Sequence, residues 1–532
     1  MKNNTMKRLL AVLLAALMLL SLAACGGQES ATTDTAADSA SAPSGETSAV
    51  AAEDCKDTIT IAIQYNPTGL DPTNDKMQDD FNIINAIYDT LVYRDYENDE
   101  YLPRLATSWE WNSDTTMLFH LRDDVYFSNG DKLTAEDVAY SFVTSINSVD
   151  NKSFMEPFNA ETTMAIDETT VQIGFDYTFS GALAYIASSR GGIVCKALHE
   201  QLGADAYAQN PVGTGMFVFE NWVQGDSVTL RRNDNYWNKD KIPAYSTLIY
   251  RVITEASVRA AEVESGGVDA SFDIVSNDFD RLKNNPELTC LNFVGWTHTG
   301  LQMNAACEKF QDPRVREAIC ISLDIPAIVK AVYGDYAEAC SGIFSSAVQD
   351  FKKCGPYEYD PERAKELLKE AGYENGLDIN VCLGHTGNIV QCATLAQEYW
   401  KQVGINATIE QMEVASMIER NNAGVNEISS SFTTVHSGTA GDALKKWSST
   451  WVGALHMNDP YIDEMLAKGL SATDPTERHE IYTELQQYMW DAHYEITMAF
   501  PNTLFVYTSK MTGMSITPNA QILDYSTLRV AK

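Results

Sequence analysis

"ATSWEWNSDTTMLFHLRDDVYFSNGDKL", residues 106–133, reads as two strands joined at Asn112-Ser113-Asp114, followed by a turn at Asn129-Gly130. Runs of strand length are separated there by the residues that tight turns favour. Immediately afterwards "LTAEDVAYSF" offers Thr134 as a helix cap, and Asp137, three residues on, completes a capping box before Val138 and Phe142. Paired strands feeding a capped helix place the chain among α/β proteins with some antiparallel content.

The same alternation extends along the chain. "TITIAIQY" (Thr58 to Tyr65), "SVTLRRN", "STLIYRVIT", "LDINVCLG", "INATIEQMEV" and "TLFVYT" are β-branched-rich runs of strand length. In "DPERAKELLKEAGY", Asp360 can cap a helix and Pro361 fits its first turn. Ala364, Leu367, Leu368 and Ala371 then share one face, and Gly372 ends the helix. "DPTERHEIYTELQQYM" repeats the device from Asp474. No repeat of solenoid period is present.

Ahead of this body, Lys2, Lys7 and Arg8 precede an apolar run from Leu9 to Leu20, and Ala23-Ala24 precede Cys25. A positive start, a short apolar run and small residues are the layout of a secretory signal, and the run is too short for a confident bilayer span. Leu22-Ala23-Ala24-Cys25 resembles a bacterial lipobox, which makes residues 1–24 a lipoprotein signal peptide and Cys25 a lipidated tether. Residues 25–56 follow as a linker of Ser, Thr, Ala, Asp, Glu and Gly, which cannot bury enough apolar area to offset the entropy of ordering.

From Lys56 onward about 475 residues suggest two or three domains, and no later segment approaches 18 uninterrupted apolar residues. The formal charge is -35. Such a field repels phosphate backbones and anionic lipid, so nucleic acid is not an expected partner. Besides Cys25, nine cysteines remain: Cys55, Cys195, Cys290, Cys307, Cys320, Cys340, Cys354, Cys382 and Cys392. An odd number cannot all pair, no C-x-x-C occurs, and Cys382 and Cys392 around His385 fall short of a zinc framework.

Catalytic constellations are missing. His199-Glu200 and His479-Glu480 lack the second His of a zinc-protease helix and sit among charged residues typical of solvated helix faces. Gly213-Thr214-Gly215 is two thirds of a dinucleotide loop, with Val218 in place of the third Gly and a strand-like run where a helix should begin. No Walker-type loop and no G-x-S-x-G elbow are found. The chain is expected to have no catalytic residue, no metal and no cofactor.

Longer motifs are more specific. "IYDTLVYRDYENDEYLPRLATSWEW", "NPVGTGMFVFENWVQGDSVTLRRNDNYWNK", "RAAEVESGGVD" and "FQDPRVREAICISLDIPAIVKAVYGDYAE", in that order, resemble the extracellular solute-binding proteins of family 5. That is the dipeptide, oligopeptide and nickel group that feeds ATP-binding cassette importers. The resemblance runs from about Thr58 to the C-terminus. It implies a two-lobed periplasmic-binding-protein-like α/β fold of type II, in the large peptide-binding cluster, with an inserted extra domain. By analogy lobe I comprises 57–80, 206–303 and 502–532, the inserted domain 81–205 and lobe II 304–501, with hinges near Asn304 and Thr503.

Asp123, Gly130, Trp222 and Tyr236-Trp237 are expected to fix turns and core packing. In relatives ligand contacts come from the loop after the first strand, here Gln64, Tyr65 and Asn66, and from a second-lobe stretch. Peptide-binding relatives carry a pattern like G-W-x-x-D-x-x-D-P there, whose Asp holds the peptide's amino group, whereas this chain reads "NEISSSFTTVHSGTAGDALKKW". Aligning Ala443-Leu444 with the aromatic-leucine that follows the pattern puts Thr433 at the Trp and His436 at the first Asp, and Asp442 is the available substitute. An imidazole cannot pair with a cation, so a ligand with an anionic or chelate group is favoured if His436 takes that place. Tyr65, Asn66, His298, His385, Asn388, Thr434, His436, Asp442 and Trp447 are the candidate ligand contacts, with Trp296 a further aromatic.

The expected function is that of a lipid-anchored, monomeric binding protein on the outer face of the bacterial cell membrane. It would capture a short peptide or peptide-like solute and pass it to ABC permease subunits with cytoplasmic ATPases. A nickel-chelate or other non-peptide carrier, a peptide-pheromone receptor and an extracellular hydrolase are the alternatives, the last lacking a nucleophile-base pair.

Overall fold

The computed structural model describes residues 54–532 apart from 75–79, 97, 153, 385–386, 452 and 454. The expected signal peptide, Cys25, most of the expected linker and His385 lie outside the described residues.

A twelve-stranded sheet runs through the body. At one end Thr58–Ile63 lies parallel to Thr247–Val252 and to Ala270–Ser271, and Thr247–Val252 continues antiparallel to Ser227–Arg232 and then Phe217–Val223. At the other end Leu377–Leu383 is parallel to Ile405–Gln411 and Ile428–Thr434, and Thr297–Met303 is antiparallel to Ile428–Thr434. Both groups meet on Glu495–Thr508. Its first half pairs with Thr297–Met303 and its second half with Leu288–Val294. "TLFVYT" is therefore the second half of a 14-residue strand. The first half, "EITMAF", is buried at every position, and a strand covered on both faces shows no polar alternation by which to recognise it.

Each end of the sheet carries its own core, which makes the molecule two-lobed. Ile59, Ile61, Leu248, Tyr250 and Phe505 are packed in one cluster, and Leu301, Ile379, Val381, Ile428 and Trp400 in another. A separate four-stranded sheet, in the order Ala106–Ser113, Thr116–Leu121, Thr170–Phe175, Phe158–Ala165, has a third cluster that includes Phe119, Val138, Phe142 and Ile173. Its first hairpin turns at Asp114-Thr115, with Ser113 opposite Thr116, one to two residues later than expected. Gly130 adopts φ +95°, as a tight turn between the bridged Tyr126 and Lys132 requires.

The expected helix starts are realised. Asp360 accepts the Arg363 N–H at 2.9 Å and opens Pro361–Glu370, while Asp474 accepts from Thr476 and Glu477 and opens Pro475–Ala492. Asp137 accepts the Thr134 N–H and hydroxyl at 2.9 and 2.7 Å ahead of Ala135–Asn147. One expectation is corrected: His199 is not on a solvated face. It is buried, with Nε2 2.9 Å from Asp71 and Nδ1 2.9 Å from the Tyr140 hydroxyl. His479 is exposed, 3.1 Å from Asp350.

Cys195, Cys290, Cys307, Cys320, Cys340, Cys354, Cys382 and Cys392 are free thiols. Among the described residues no helix is long and apolar enough to cross a membrane.

Candidate functional site

Parallel strands leave their carboxyl ends as the natural rim of a crevice, because the chain must turn away there in loops. In both halves of the sheet those ends point to one cavity of about 800 Å³. Ile63 ends the first strand and Gln64 and Tyr65 follow it, and Phe272 to Asn277 follow Ala270–Ser271. Across from them stand Tyr333, Tyr336, Gly387 to Ile389, Phe432 and Thr434, and residues 501–504 form part of the wall. Apart from tyrosines, Asp273 is the one ionisable residue among the described residues of this lining. The rest is amide, hydroxyl, aromatic and aliphatic, a mixture that suits an organic solute with a few oriented polar groups.

A second cavity, about 400 Å³, adjoins the first and shares Phe432 and Thr434 with it. It is the charged end. Asp150, Arg190, His436, Asp442, Lys445 and Lys446 line it, together with Phe154 and Trp451. Asp442 is occupied within the protein. One carboxylate oxygen accepts the backbone N–H groups of His436 and Ser437 at 2.7 and 3.0 Å. The other is 2.6 Å from the Lys445 ammonium and accepts a 3.4 Å bond from the Tyr185 hydroxyl. Burial alone would raise its pKa, but Lys445 and the donated hydrogen bonds hold it well below the usual carboxylate range. Lys445 also stands over the rings of Phe154 and Tyr185 at 5.5 and 5.8 Å.

His436 packs edge-on against Phe81 and Phe154, with ring centroids 5.9 and 6.3 Å away. Its Nδ1 has no hydrogen-bond partner among the described residues. Burial, with the positive charges of Arg190 and Lys445 added, lowers its pKa to about 3. The imidazole is therefore neutral at ordinary pH.

The candidate contacts separate into groups. Tyr65, Asn388 and Thr434 line the larger cavity; Thr434, His436 and Asp442 line the smaller one. Asn66, His298 and Trp447 line neither, for physical reasons. The Asn66 carboxamide is tied to the opposite loop, donating to Gln224 and accepting from Gly225 and Trp222. His298 is buried in an ionic cluster: Nε2 lies 3.0 Å from Glu495 and 3.2 Å from Lys446, whose ammonium reaches both Glu495 oxygens at 3.0 Å. Trp447 is fully buried in the core, and Trp296 is core too, donating to the Ala347 carbonyl at 3.0 Å. His385 is outside the described residues. Asp273, Tyr333, Tyr336, Arg190 and Lys445 were not singled out by sequence; they sit on loops and helix ends, with no periodic pattern to mark them.

Among the described residues no group of three or more His, Cys, Asp or Glu side chains could hold a metal ion.

Comparison with known proteins agrees with this architecture. The family model described as "Bacterial extracellular solute-binding proteins, family 5 Middle" matches residues 100–454. The glutathione-binding protein GsiB of Escherichia coli (strain K12) is 26% identical over 481 residues, covering 87% of this chain and 92% of that protein. Among solved structures, the periplasmic binding protein DppA from Helicobacter pylori in complex with peptide STSA superposes with a TM-score of 0.77. Its sequence identity is 23%, with 90% of this chain and 99% of that one covered. A dipeptide-binding protein from Pseudoalteromonas sp. SM9913 in complex with Met-Leu also gives 0.77, at 20% identity over 89% of this chain and all of that one.

Proposed function

Because the chain belongs to the bacterial extracellular solute-binding proteins of family 5, we propose that it captures a short peptide or peptide-like solute and delivers it to the permease of an ABC importer. The observation that carries this reading is the pair of adjoining cavities, about 800 and 400 Å³, at the facing carboxyl ends of the two half-sheets. Together they exceed what a single amino acid needs, and their lining alternates aromatic surface with amide and hydroxyl groups. Relatives and structural neighbours named for glutathione, a dipeptide and the peptide STSA support the solute class.

In this reading residues 57–80, 206–303 and 502–532 form lobe I, residues 81–205 the inserted domain and residues 304–501 lobe II. Closure of the lobes is a population shift, so the solute must bind the closed form more tightly than the open one. Cys25 carries the lipid, and the 25–56 segment leashes a monomeric body to the outer face of the membrane while it docks on the permease and its ATPase partners.

A thermal-shift screen against di- to hexapeptides, glutathione and nickel chelates tests the proposal. A solute at a hundredfold over its dissociation constant adds about 2.7 kcal/mol, so the expected result is a clear upward shift with one or more peptides. A response to chelates alone, with no peptide active, would refute the peptide class.

A further inference from the structure

Asp273 stands apart from every other acidic group around the cavities. It lies in the wall of the larger one, exposed to its interior. Among the described residues its carboxylate accepts no hydrogen bond and enters no ion pair. Asp442, by contrast, has both oxygens occupied by Lys445, Tyr185 and two backbone N–H groups.

The backbone explains how Asp273 is held open. It adopts φ +54°, in the left-handed region that side chains other than Gly rarely occupy. Arg259, buried behind it, donates from Nη2 to the Asp273 carbonyl at 2.8 Å and from Nη1 to the carbonyls of Ile253 and Thr254 at 2.7 and 2.9 Å. The Arg259 guanidinium thus fixes the main chain of Asp273 through its carbonyl. Tyr65, Phe272, Tyr333 and Tyr336 line the same cavity, and aromatic faces attract cations. Strained, unpaired charge in a binding cleft is a cost that persists where a ligand repays it.

We propose that Asp273 seats the positively charged group of the solute, the amino terminus in the case of a peptide. This assignment rests on the solute-binding reading above and deepens it. The cation goes to the lobe I wall of the larger cavity and not to Asp442, whose charge Lys445 already neutralises. The rest of the solute then extends past Phe432 and Thr434 towards Arg190 and His436. Desolvation in the cavity wall raises the pKa of Asp273 and the Arg259 charge only partly opposes this, as expected of a carboxylate with no ion-pair partner.

The test is isothermal titration of the full-length protein with di- to hexapeptides, their N-acetylated forms and the diamine putrescine, in wild type, Asp273→Asn and Lys445→Met. Asn tolerates the left-handed backbone, so Asp273→Asn should fold, and without ligand it should melt higher than wild type because an uncompensated charge is gone. The expected result is that wild type prefers free over acetylated peptides by at least tenfold and that Asp273→Asn abolishes this preference while keeping the acetylated affinity within about twofold. A preference that survives Asp273→Asn, or binding of acetylated peptides alone, overturns the assignment and leaves the peptide reading standing. Free-amine binding that first emerges in Lys445→Met likewise overturns it, because the amine would then sit at Asp442. Putrescine binding lost in Asp273→Asn, with no peptide bound, supports the assignment and overturns the peptide reading. Binding of none of these probes overturns both.

Discussion

The buried Asp89 carboxylate accepts hydrogen bonds from Arg104, Thr214, Tyr236 and Trp237 at 2.6, 3.1, 3.0 and 2.9 Å. Two of the quoted family motifs, 87–111 and 210–239, thereby converge on one side chain. Removing one partner of a buried ion pair leaves the other unpaired, at a cost of about 3–5 kcal/mol. Asp89→Ala should lower stability by that order, read as a reduced denaturation midpoint at constant m-value. Tyr236-Trp237 was legible as structural, but its partner was not, because the two residues lie 147 and 148 positions from Asp89. The same distance in sequence hid the cluster of His298, Lys446 and Glu495. His436 makes a pH prediction. Its folded pKa, about 3, is below the unfolded value of about 6.5. As pH falls below about 6.5 the unfolded chain takes up a proton that the folded one refuses until about pH 3, so stability declines across that window. His436→Gln should flatten the stability profile between pH 6 and 4 by about 1.4 kcal/mol per pH unit, measurable by urea titration at successive pH values.

Helices in this chain are started by a recurrent device. Asp312, Asp360, Asp459 and Asp474 each precede a proline and each accept a backbone N–H of the first turn. The pattern is local, so the helix starts could be read from sequence. Asp474→Ala frees two N–H groups of the 18-residue helix and should cost about 1 kcal/mol, again seen in the denaturation midpoint. Gly213-Thr214-Gly215 shows the opposite case. Its glycines are there for close approach: a Cβ on Gly213 would lie 2.1 Å from the Ile87 carbonyl oxygen, and one on Gly215 2.6 Å from the same group. Gly213→Ala should destabilise by about 1–3 kcal/mol through overpacking. Spacing alone made the motif look like part of a phosphate loop, because what fills the space opposite a glycine is set by tertiary packing.

At the scale of the whole molecule, the two-lobed plan was legible because long motifs and strand-length runs keep their order from Thr58 onward. The cleft was less so. Its walls are loops at strand ends, where one or two residues of alignment error change which side chain faces inward; Tyr65 lines the cavity and its neighbour Asn66 does not. The last segment of the chain packs Met511, Ile522, Tyr525, Leu528 and Val530 into the core beside Ile59 and Ile61. Deleting residues 509–532 should expose that core and give an insoluble or dye-binding product, checked by solubility and by fluorescence of a hydrophobic dye. Near the other end Cys55 bridges Ala531, Lys56 donates to the Val530 carbonyl at 2.7 Å and Lys532 to that of Asp54 at 2.9 Å. This sets a timetable for the growing polypeptide. At roughly 5–20 residues per second, about 20–90 s separate synthesis of Ile63 from that of Val530. Throughout that interval the first strand is made but has no complete lobe to join, so the cell must keep it from wrong partners until the closing residues arrive.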